Sequence, residues 1–239
     1  MNGSRFRAGA VALACFTGYF VAPQRVARAV DVTYAYDDGS SELGVGIDPG
    51  EDSLWFSRFP VQSGGELITS ISVAYGRPGS TSPLIGLPVT ILLYEDVDGG
   101  APWNAVLKQS VSATVANANT NTLNSYPIPA TEVHGTLLAA ALFRNTTTTN
   151  RFIAALDRTE PHVSDASFYG YTVDDLNVND LSTIPETQRG TIESINFAGN
   201  WLIRATGQPV PEPAGAGCAL GIAALAAVAR ARGGARGAW

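Results

Sequence analysis

Residues 67–75 read Leu-Ile-Thr-Ser-Ile-Ser-Val-Ala-Tyr, and this stretch decides the fold class. Large side chains recur at every second position, with small ones between them. Successive side chains of a β-strand point to opposite faces, so this spacing predicts a strand with one face against a core. Arg-Pro-Gly-Ser at 77–80 then ends the strand. The core-facing side chains are predicted to be Leu67, Thr69, Ile71, Val73 and Tyr75.

Similar short apolar runs, separated by Gly, Pro, Asn and Asp, continue along the chain on both sides of this strand. Many short strands with Gly/Pro-rich turns indicate an all-β protein, here a single antiparallel β-sandwich over 30–206. The run Leu-Leu-Ala-Ala-Ala-Leu-Phe at 137–143 is also compatible with a buried helical turn, and we interpret it as a fully buried strand. The further predicted strands are 32–36, 54–59, 89–94, 106–115, 123–128, 137–143, 151–156, 167–172, 191–197 and 201–205.

The composition agrees with a β-rich protein and argues against a nucleic-acid partner. Only 15% of the 239 residues are charged, whereas Gly and Pro number 25 and 14. Between positions 30 and 209, eight basic residues face 20 acidic ones, a net charge of −12. An acidic surface repels phosphate backbones. Both cysteines, Cys15 and Cys218, lie in the terminal apolar segments, so the middle of the chain must be stable without a disulfide.

The N-terminus is typical of a secretory signal peptide, at 1–29. Arg5 and Arg7 precede an apolar stretch at 8–22. Ala27 and Ala29 then place small residues where signal peptidase requires them, which predicts cleavage after Ala29. The alternative is a permanent membrane anchor, for which an apolar run of roughly 15 residues is short.

The C-terminus is predicted to contain a short transmembrane helix at 214–229 and a basic tail at 230–239. A helix of sixteen residues spans ~24 Å, slightly less than a bilayer core of ~30 Å. The tail contains Arg230, Arg232 and Arg236, and basic residues beside a span stay cytoplasmic. The preceding domain is therefore expected outside the inner membrane.

A Pro-Glu-Pro motif, formed by Pro211, Glu212 and Pro213, closes the linker at 207–213 that precedes this helix. The motif, helix and arginine-rich tail together resemble the PEP-CTERM sorting signal. The resemblance implies recognition by an exosortase-type membrane peptidase, transient anchoring in the inner membrane and release to the cell surface or extracellular matrix, often in biofilm-forming bacteria. It covers about 30 residues and implies routing, not activity. An ordinary tail anchor is the alternative.

Three phrases in the middle of the chain resemble a jelly-roll-like β-sandwich domain of secreted proteins from planctomycete-type bacteria. They are Tyr-Asp-Asp-Gly-Ser at 36–40, Leu-Leu-Tyr-Glu-Asp-Val-Asp-Gly-Gly-Ala-Pro at 92–102 and Gly-Asn-Trp-Leu-Ile-Arg-Ala at 199–205. The resemblance implies a fold and no activity.

No catalytic constellation is apparent in the sequence. The only histidines, His134 and His162, are expected in loops, and a Gly-x-Ser-x-Gly elbow is absent. Two distant histidines without cysteine also argue against a zinc site. We therefore expect no enzyme activity and no resident cofactor other than calcium.

Calcium is the one metal that the sequence favours. Glu95, Asp96 and Asp98 lie at the end of a predicted strand, followed by Gly99. Carboxylate oxygens on a flexible loop are ligands that calcium prefers. The alternative interpretation is a solvated hairpin turn.

Three aromatic residues are candidates for stacking on a sugar ring. Trp103 lies in a predicted loop, and Tyr169 and Tyr171 share one face of a predicted strand. The two tyrosines could equally form a core patch, and Trp55 and Trp201 are expected in the core.

The leading functional interpretation is an exported, non-enzymatic surface or matrix protein. The first alternative is a carbohydrate-binding module acting on extracellular matrix polysaccharide, and the second is a secreted hydrolase. The first two partners on its route are signal peptidase and the exosortase-type peptidase.

The routing hypothesis predicts the termini of the mature protein. Mass spectrometry of the released product is expected to find Val30 as the first residue and no peptide from residue 214 onward. A released protein that retains the 214–229 segment would contradict the sorting hypothesis.

Overall fold

The computed structural model describes residues 30–211. The predicted signal peptide, transmembrane helix and basic tail, together with Glu212 and Pro213, lie outside the described residues. Pro211 is described and exposed. The strands of the described part are β1 (Val32–Tyr34), β2 (Leu43–Ile47), β3 (Asp52–Pro60), β4 (Leu67–Val73), β5 (Pro88–Asp96), β6 (Val106–Thr114), β7 (Asn124–Glu132), β8 (Thr136–Arg144), β9 (Arg151–Asp157), β10 (Ser167–Thr172), β11 (Arg189–Thr191), β12 (Asn200–Trp201) and β13 (Ile203–Gln208).

These strands form three antiparallel sheets. Their orders are β1-β13-β4-β7, β11-β10-β3-β8-β5-β6 and β12-β9-β2. The four- and three-stranded sheets are joined by a bridge between Tyr75 and Ala154, and the Leu202 N–H donates to the Ala155 carbonyl at 3.1 Å. The molecule is therefore all-β and sandwich-like, with these two joined sheets as one layer and the six-stranded sheet as the other.

Helix is confined to single 3₁₀ turns within residues 30–211. They are Pro102–Asn104, Leu181–Thr183, Glu186–Gln188 and Ile192–Ile195. None of the helices in this described part is long and apolar enough to cross a bilayer.

Strand β8 contains the apolar run at 137–143. It is hydrogen-bonded to β3 on one side and to β5 on the other. Every residue from 137 to 143 is buried, which confirms the buried-strand interpretation over the helical one. Alternation divides these side chains between the two faces of the sheet. One set, Leu137, Ala139, Ala141 and Phe143, enters the core between the layers, and the other, Leu138, Ala140 and Leu142, enters a second core on the outer face.

The inner core lies between the two layers and draws side chains from all three sheets. Trp55 and Phe59 come from β3, Ile71 from β4, Ile153 from β9, and Trp201 from β12. Burying a large apolar side chain contributes ~1.5–3 kcal/mol, so this core holds the layers together without a disulfide.

The outer core covers the other face of the six-stranded sheet with loops instead of a further sheet. Phe56 and Phe168 stack at 5.2 Å between ring centroids, with an interplanar angle of 8°. Leu176, Leu181 and Ile184 from the segment after β10 pack onto them. A six-stranded sheet covered on both faces was not predicted, because the covering residues lie in an irregular segment without strand periodicity.

The alternation predicted for β4 is right at its C-terminal end and wrong at its N-terminal end. Ile71, Val73 and Tyr75 are fully buried in the inner core, as predicted. At the start of the strand, however, the residue in the inner core is Ile68, and neither Leu67 nor Thr69 belongs to it. The register against β13 shifts between Thr206 and Gly207. Thr69 has no paired residue on β13 and is the extra residue of a β-bulge. Because side chains alternate between the two faces of a strand, one extra residue moves the side chains of β4 that precede it to the opposite faces.

Strand β2 was missed by the sequence prediction because its sequence, Leu-Gly-Val-Gly-Ile, has two glycines, which strands disfavour. The structure explains Gly46: a Cβ at this position would overlap the backbone carbonyl of Arg151 on β9. The register of these two strands shifts between Val45 and Ile47. Glycine therefore permits the close approach of two backbones at a bulge.

Two predicted boundaries also differ from the structure. The strand predicted at 191–197 is mostly the 3₁₀ turn Ile192–Ile195, which ends at Asn196 in a left-handed conformation (φ 66°). Asn tolerates that conformation better than most residues. Strand β13 continues to Gln208, two residues into the predicted linker.

Candidate functional site

A cleft of about 380 Å³ opens between the two layers, and we call it the tyrosine cleft. Strand β2 and the turn after it border one side, and β3 and β10 border the other. Its lining includes Asp48, Glu51, Ser53, Trp55, Tyr169 and Tyr171.

Tyr169 and Tyr171 lie on the inner face of β10, as their alternate positions predict. Their rings are nearly parallel, at 16°, with centroids 6.5 Å apart. Both residues are half-buried, and Tyr169 also packs against the inner core. The pair is therefore neither a fully exposed platform nor a core patch. It forms an aromatic wall that is accessible from the cleft.

Trp55 lies opposite Tyr169 in the antiparallel register of β3 and β10, and it also lines the cleft. The residue is only 1% exposed, which confirms its expected place in the core. Its indole Nε1 is nevertheless buried without a hydrogen-bond partner among the described residues. Leaving a buried donor unpaired costs ~1–3 kcal/mol.

Trp201 also lies in the core and lines the cleft, but its indole N–H is satisfied. Its Nε1 donates to the Phe168 carbonyl at 2.8 Å. Of these two tryptophans, only Trp55 has an indole N–H without a hydrogen-bond partner among the described residues.

The acidic rim of the tyrosine cleft is a turn that joins β2 to β3. Glu51 Oε2 accepts from the Asp48 backbone N–H at 3.1 Å, and Asp48 Oδ1 accepts from Asn150 Nδ2 at 2.7 Å. The buried amide of Asn145 donates to the Ile47 and Asp48 carbonyls at 3.3 and 3.0 Å. Polar contacts therefore fix the rim that faces the tyrosines.

Trp103, the third aromatic candidate, does not lie on the same surface as the two tyrosines. It lies in the Pro102–Asn104 turn on the outer face of the sheet, half-buried, with its ring edge-on to Phe56 and Phe168 at 5.6 and 6.0 Å. The Arg189 guanidinium lies 5.1 Å from the centroid of its ring. Phe168 and Tyr169 are consecutive strand residues, so their side chains lie on opposite faces of the sheet. Trp103 helps to close the outer core.

The predicted calcium ligands lie at the end of β5, where Glu95 points away from Asp96. Glu95 is 8% exposed; its Oε2 lies 2.9 Å from Lys108 Nζ, and its Oε1 accepts from the His134 N–H at 2.6 Å. Burial alone would raise the pKa of Glu95, but the Lys108 ammonium and the His134 N–H outweigh it and lower the pKa overall. Both carboxylate oxygens of Glu95 are therefore already engaged by groups of the domain.

Asp96 and Asp98 lie close together around the guanidinium of Arg58. Arg58 Nη2 lies 3.4 Å from Asp96 Oδ2 and donates to the Gly99 carbonyl. Burial, followed by the neighbouring Asp98, raises the pKa of Asp96. The Gly100 N–H, followed by Asn104, lowers the pKa of Asp98.

An arginine thus already supplies positive charge to this turn. Across residues 30–211, no three His, Cys, Asp or Glu side chains are grouped closely enough to hold a metal ion. Calcium binding at Glu95, Asp96 and Asp98 stays a prediction.

No protein-family model matches the chain, and none of the curated proteins compared with it gives a match. The geometry of the described residues is therefore the basis for the functional conclusions below.

The sequence indicated the two tyrosines but not the rest of the tyrosine cleft. Trp55 was assigned to the core alone, and Asp48 and Glu51 were not singled out. Their roles depend on β3 pairing with β10, more than a hundred residues away, and on β2 lying opposite them. No local pattern carries that information.

The calcium prediction is tested by thermal melting of the purified chain with calcium and with chelator. A ligand that binds only the folded state raises the melting midpoint, so calcium is expected to raise it and chelator to reverse the effect. Asp98→Asn removes one ligand and is expected to abolish the difference. Identical midpoints for the wild-type chain in calcium and chelator would rule out the site.

Proposed function

We propose that this chain is an exported, non-enzymatic surface or matrix protein whose domain binds carbohydrate in the tyrosine cleft. The routing part of the proposal is supported by the signal-like N-terminus and by the Pro-Glu-Pro motif with its apolar and basic segments. The binding part is supported by the geometry of the cleft.

The single observation that carries carbohydrate binding is the aromatic wall that lines the tyrosine cleft. Tyr169 and Tyr171 offer nearly parallel ring faces, on which the apolar faces of sugar rings pack. Trp55 adds a third aromatic side chain to the lining of the same cleft. The volume of about 380 Å³ is within the range of small-molecule sites, which combine aromatic surface with a few polar groups.

The polar rim adds a second kind of contact for a sugar. Asp48 is exposed and Glu51 half-buried, and carboxylate oxygens accept hydrogen bonds from sugar hydroxyls. A fixed rim favours affinity because its acceptors need no reordering when the ligand binds.

A hydrolase would use the same two carboxylates differently. Glycoside hydrolysis needs one carboxyl group as acid and another as base or nucleophile across the scissile bond. Here both side chains form the same turn, and both accept hydrogen bonds that hold it. This structural use favours binding over hydrolysis.

The jelly-roll-like topology is part of the same proposal. The resemblance of the three sequence phrases supports it, and the two-layered arrangement of antiparallel strands is compatible with it. The proposal also includes exosortase-type processing after transient anchoring in the inner membrane.

A glycan array probed with the purified full-length chain tests binding at the tyrosine cleft. Tyr171→Ala is expected to weaken the affinity for the best-bound glycan about two- to tenfold, since an aromatic stacking contact contributes ~0.5–1.5 kcal/mol. Tyr171→Phe keeps the ring and is expected to bind within about threefold of wild type.

Ile85→Ala is the control, because Ile85 is an exposed apolar residue outside the lining of the tyrosine cleft. Thermal melting of each variant establishes that it is folded. The proposal is wrong if the wild-type chain retains no glycan, or if folded Tyr169→Ala and Tyr171→Ala variants bind as the control does.

A further inference from the structure

Most basic residues of the described part form an ion pair with a carboxylate, but a few do not. Of the eight basic residues from 30 to 209, most lie within 4.0 Å of a carboxylate oxygen. The paired residues are Arg58, Lys108, Arg144, Arg189 and Arg204. Among residues 30–211, Arg77, Arg151 and Arg158 have no such ion pair.

Arg77 and Arg151 line one cleft of about 700 Å³, which we call the arginine cleft. It is bordered by the first residues of β2, by the segment after β4 and by the start of β9. None of its lining residues is Asp or Glu. Two arginines and no acidic residue thus line this cleft, although the domain has a net charge of −12.

Arg151 has a further property that distinguishes it from a solvated surface arginine. Its Nε is buried and has no hydrogen-bond partner among the described residues. A guanidinium presents its donors in a planar fork that matches carboxylate and sulfate oxygens. Since Arg151 forms no ion pair in the described part, its guanidinium is not committed to a carboxylate of the domain.

The rest of the lining is suited to a sugar that carries the anion. Ser80, Thr81 and Ser82 contribute hydroxyl groups, which both donate and accept hydrogen bonds. Phe152 is 51% exposed and offers an apolar ring beside the two arginines. Asn150 also lines the cleft, with its Nδ2 engaged by Asp48.

We propose that the arginine cleft binds an acidic saccharide, with Arg77 and Arg151 holding its carboxylate or sulfate group. This is a second site, separate from the tyrosine cleft. Strand β2 borders both, with Leu43 and Gly44 at the arginine cleft and Val45 to Ile47 at the tyrosine cleft. The inference does not depend on sugar binding to the tyrosines.

Isothermal titration of the full-length chain tests the proposal with three probes: oligogalacturonate as the carboxylate ligand, a sulfated dextran oligosaccharide as the sulfate ligand, and neutral dextran. At least one acidic probe is expected to bind more tightly than neutral dextran, because only the acidic probes carry the anionic group that the arginines hold. Affinity is expected to fall as salt rises from about 50 to about 300 mM, because salt screens the contact. Failure of both acidic probes to bind would overturn the proposal.

Variants then locate the binding. Arg77→Gln is expected to weaken the acidic probe at least fivefold, and Arg77→Gln with Arg151→Gln at least twentyfold. Arg158→Gln is the matched control, since Arg158 also lacks an ion pair in the described part but lies outside the cleft. It is expected to change affinity less than twofold.

Two comparisons distinguish binding in the arginine cleft from general charge attraction and from binding in the tyrosine cleft. Equal weakening by Arg158→Gln would show general charge attraction and would overturn the proposal, and so would unchanged affinity in Arg77→Gln. Arg77 is exposed, so this single variant is informative even if loss of Arg151 disturbs folding. Tyr171→Ala is expected to leave acidic-probe affinity unchanged, whereas a loss there would assign the binding to the tyrosine cleft and overturn the proposal.

Discussion

The fold depends on one strand that is buried on both faces and hydrogen-bonded on both edges. Strand β8 pairs with β3 and β5 along its length, so neither edge leaves backbone groups unpaired. Its three consecutive alanines, Ala139 to Ala141, are all fully buried and leave room for large side chains from neighbouring strands on either face. Trp55 and Phe56 of β3 use that room in opposite directions, one in the inner core and one in the outer core. A two-layered molecule with an additional loop-covered face follows from this arrangement.

The same sheets position the two candidate sites. The six-stranded sheet holds β10 in register with β3, which places Tyr169 beside Trp55. The joined sheets of the other layer place β2 opposite them, with the tyrosine cleft between. The other end of β2 and the start of β9 form the arginine cleft. The scaffold thus presents two clefts of different chemistry, one aromatic with acidic rim residues and one lined by two arginines.

Much of the strand pattern was predictable because it is local. The run at 137–143 was interpreted correctly because strand-length apolar segments between turns indicate burial on both faces. Tyr169 and Tyr171 were grouped correctly because side-chain alternation is a property of any strand.

The errors have physical causes that are not local. The bulge at Thr69 reversed the facing of Leu67 and Ile68. The glycines of β2 make sense only beside β9. The packing of Trp103 against Phe56 and Phe168 was not predictable either, because these neighbours are distant in sequence. The tyrosine and arginine clefts could not be derived for the same reason.

Native-state hydrogen exchange of the full-length chain tests the dependence of the fold on β8 most directly. If β8 is the structural centre, its amides exchange only by global unfolding, and their protection equals the free energy of unfolding measured by denaturant. Amides of the edge strands β2 and β11 are expected to exchange faster, through local opening. Exchange of the β8 amides as fast as those of β2 or β11 would contradict the central role of this strand.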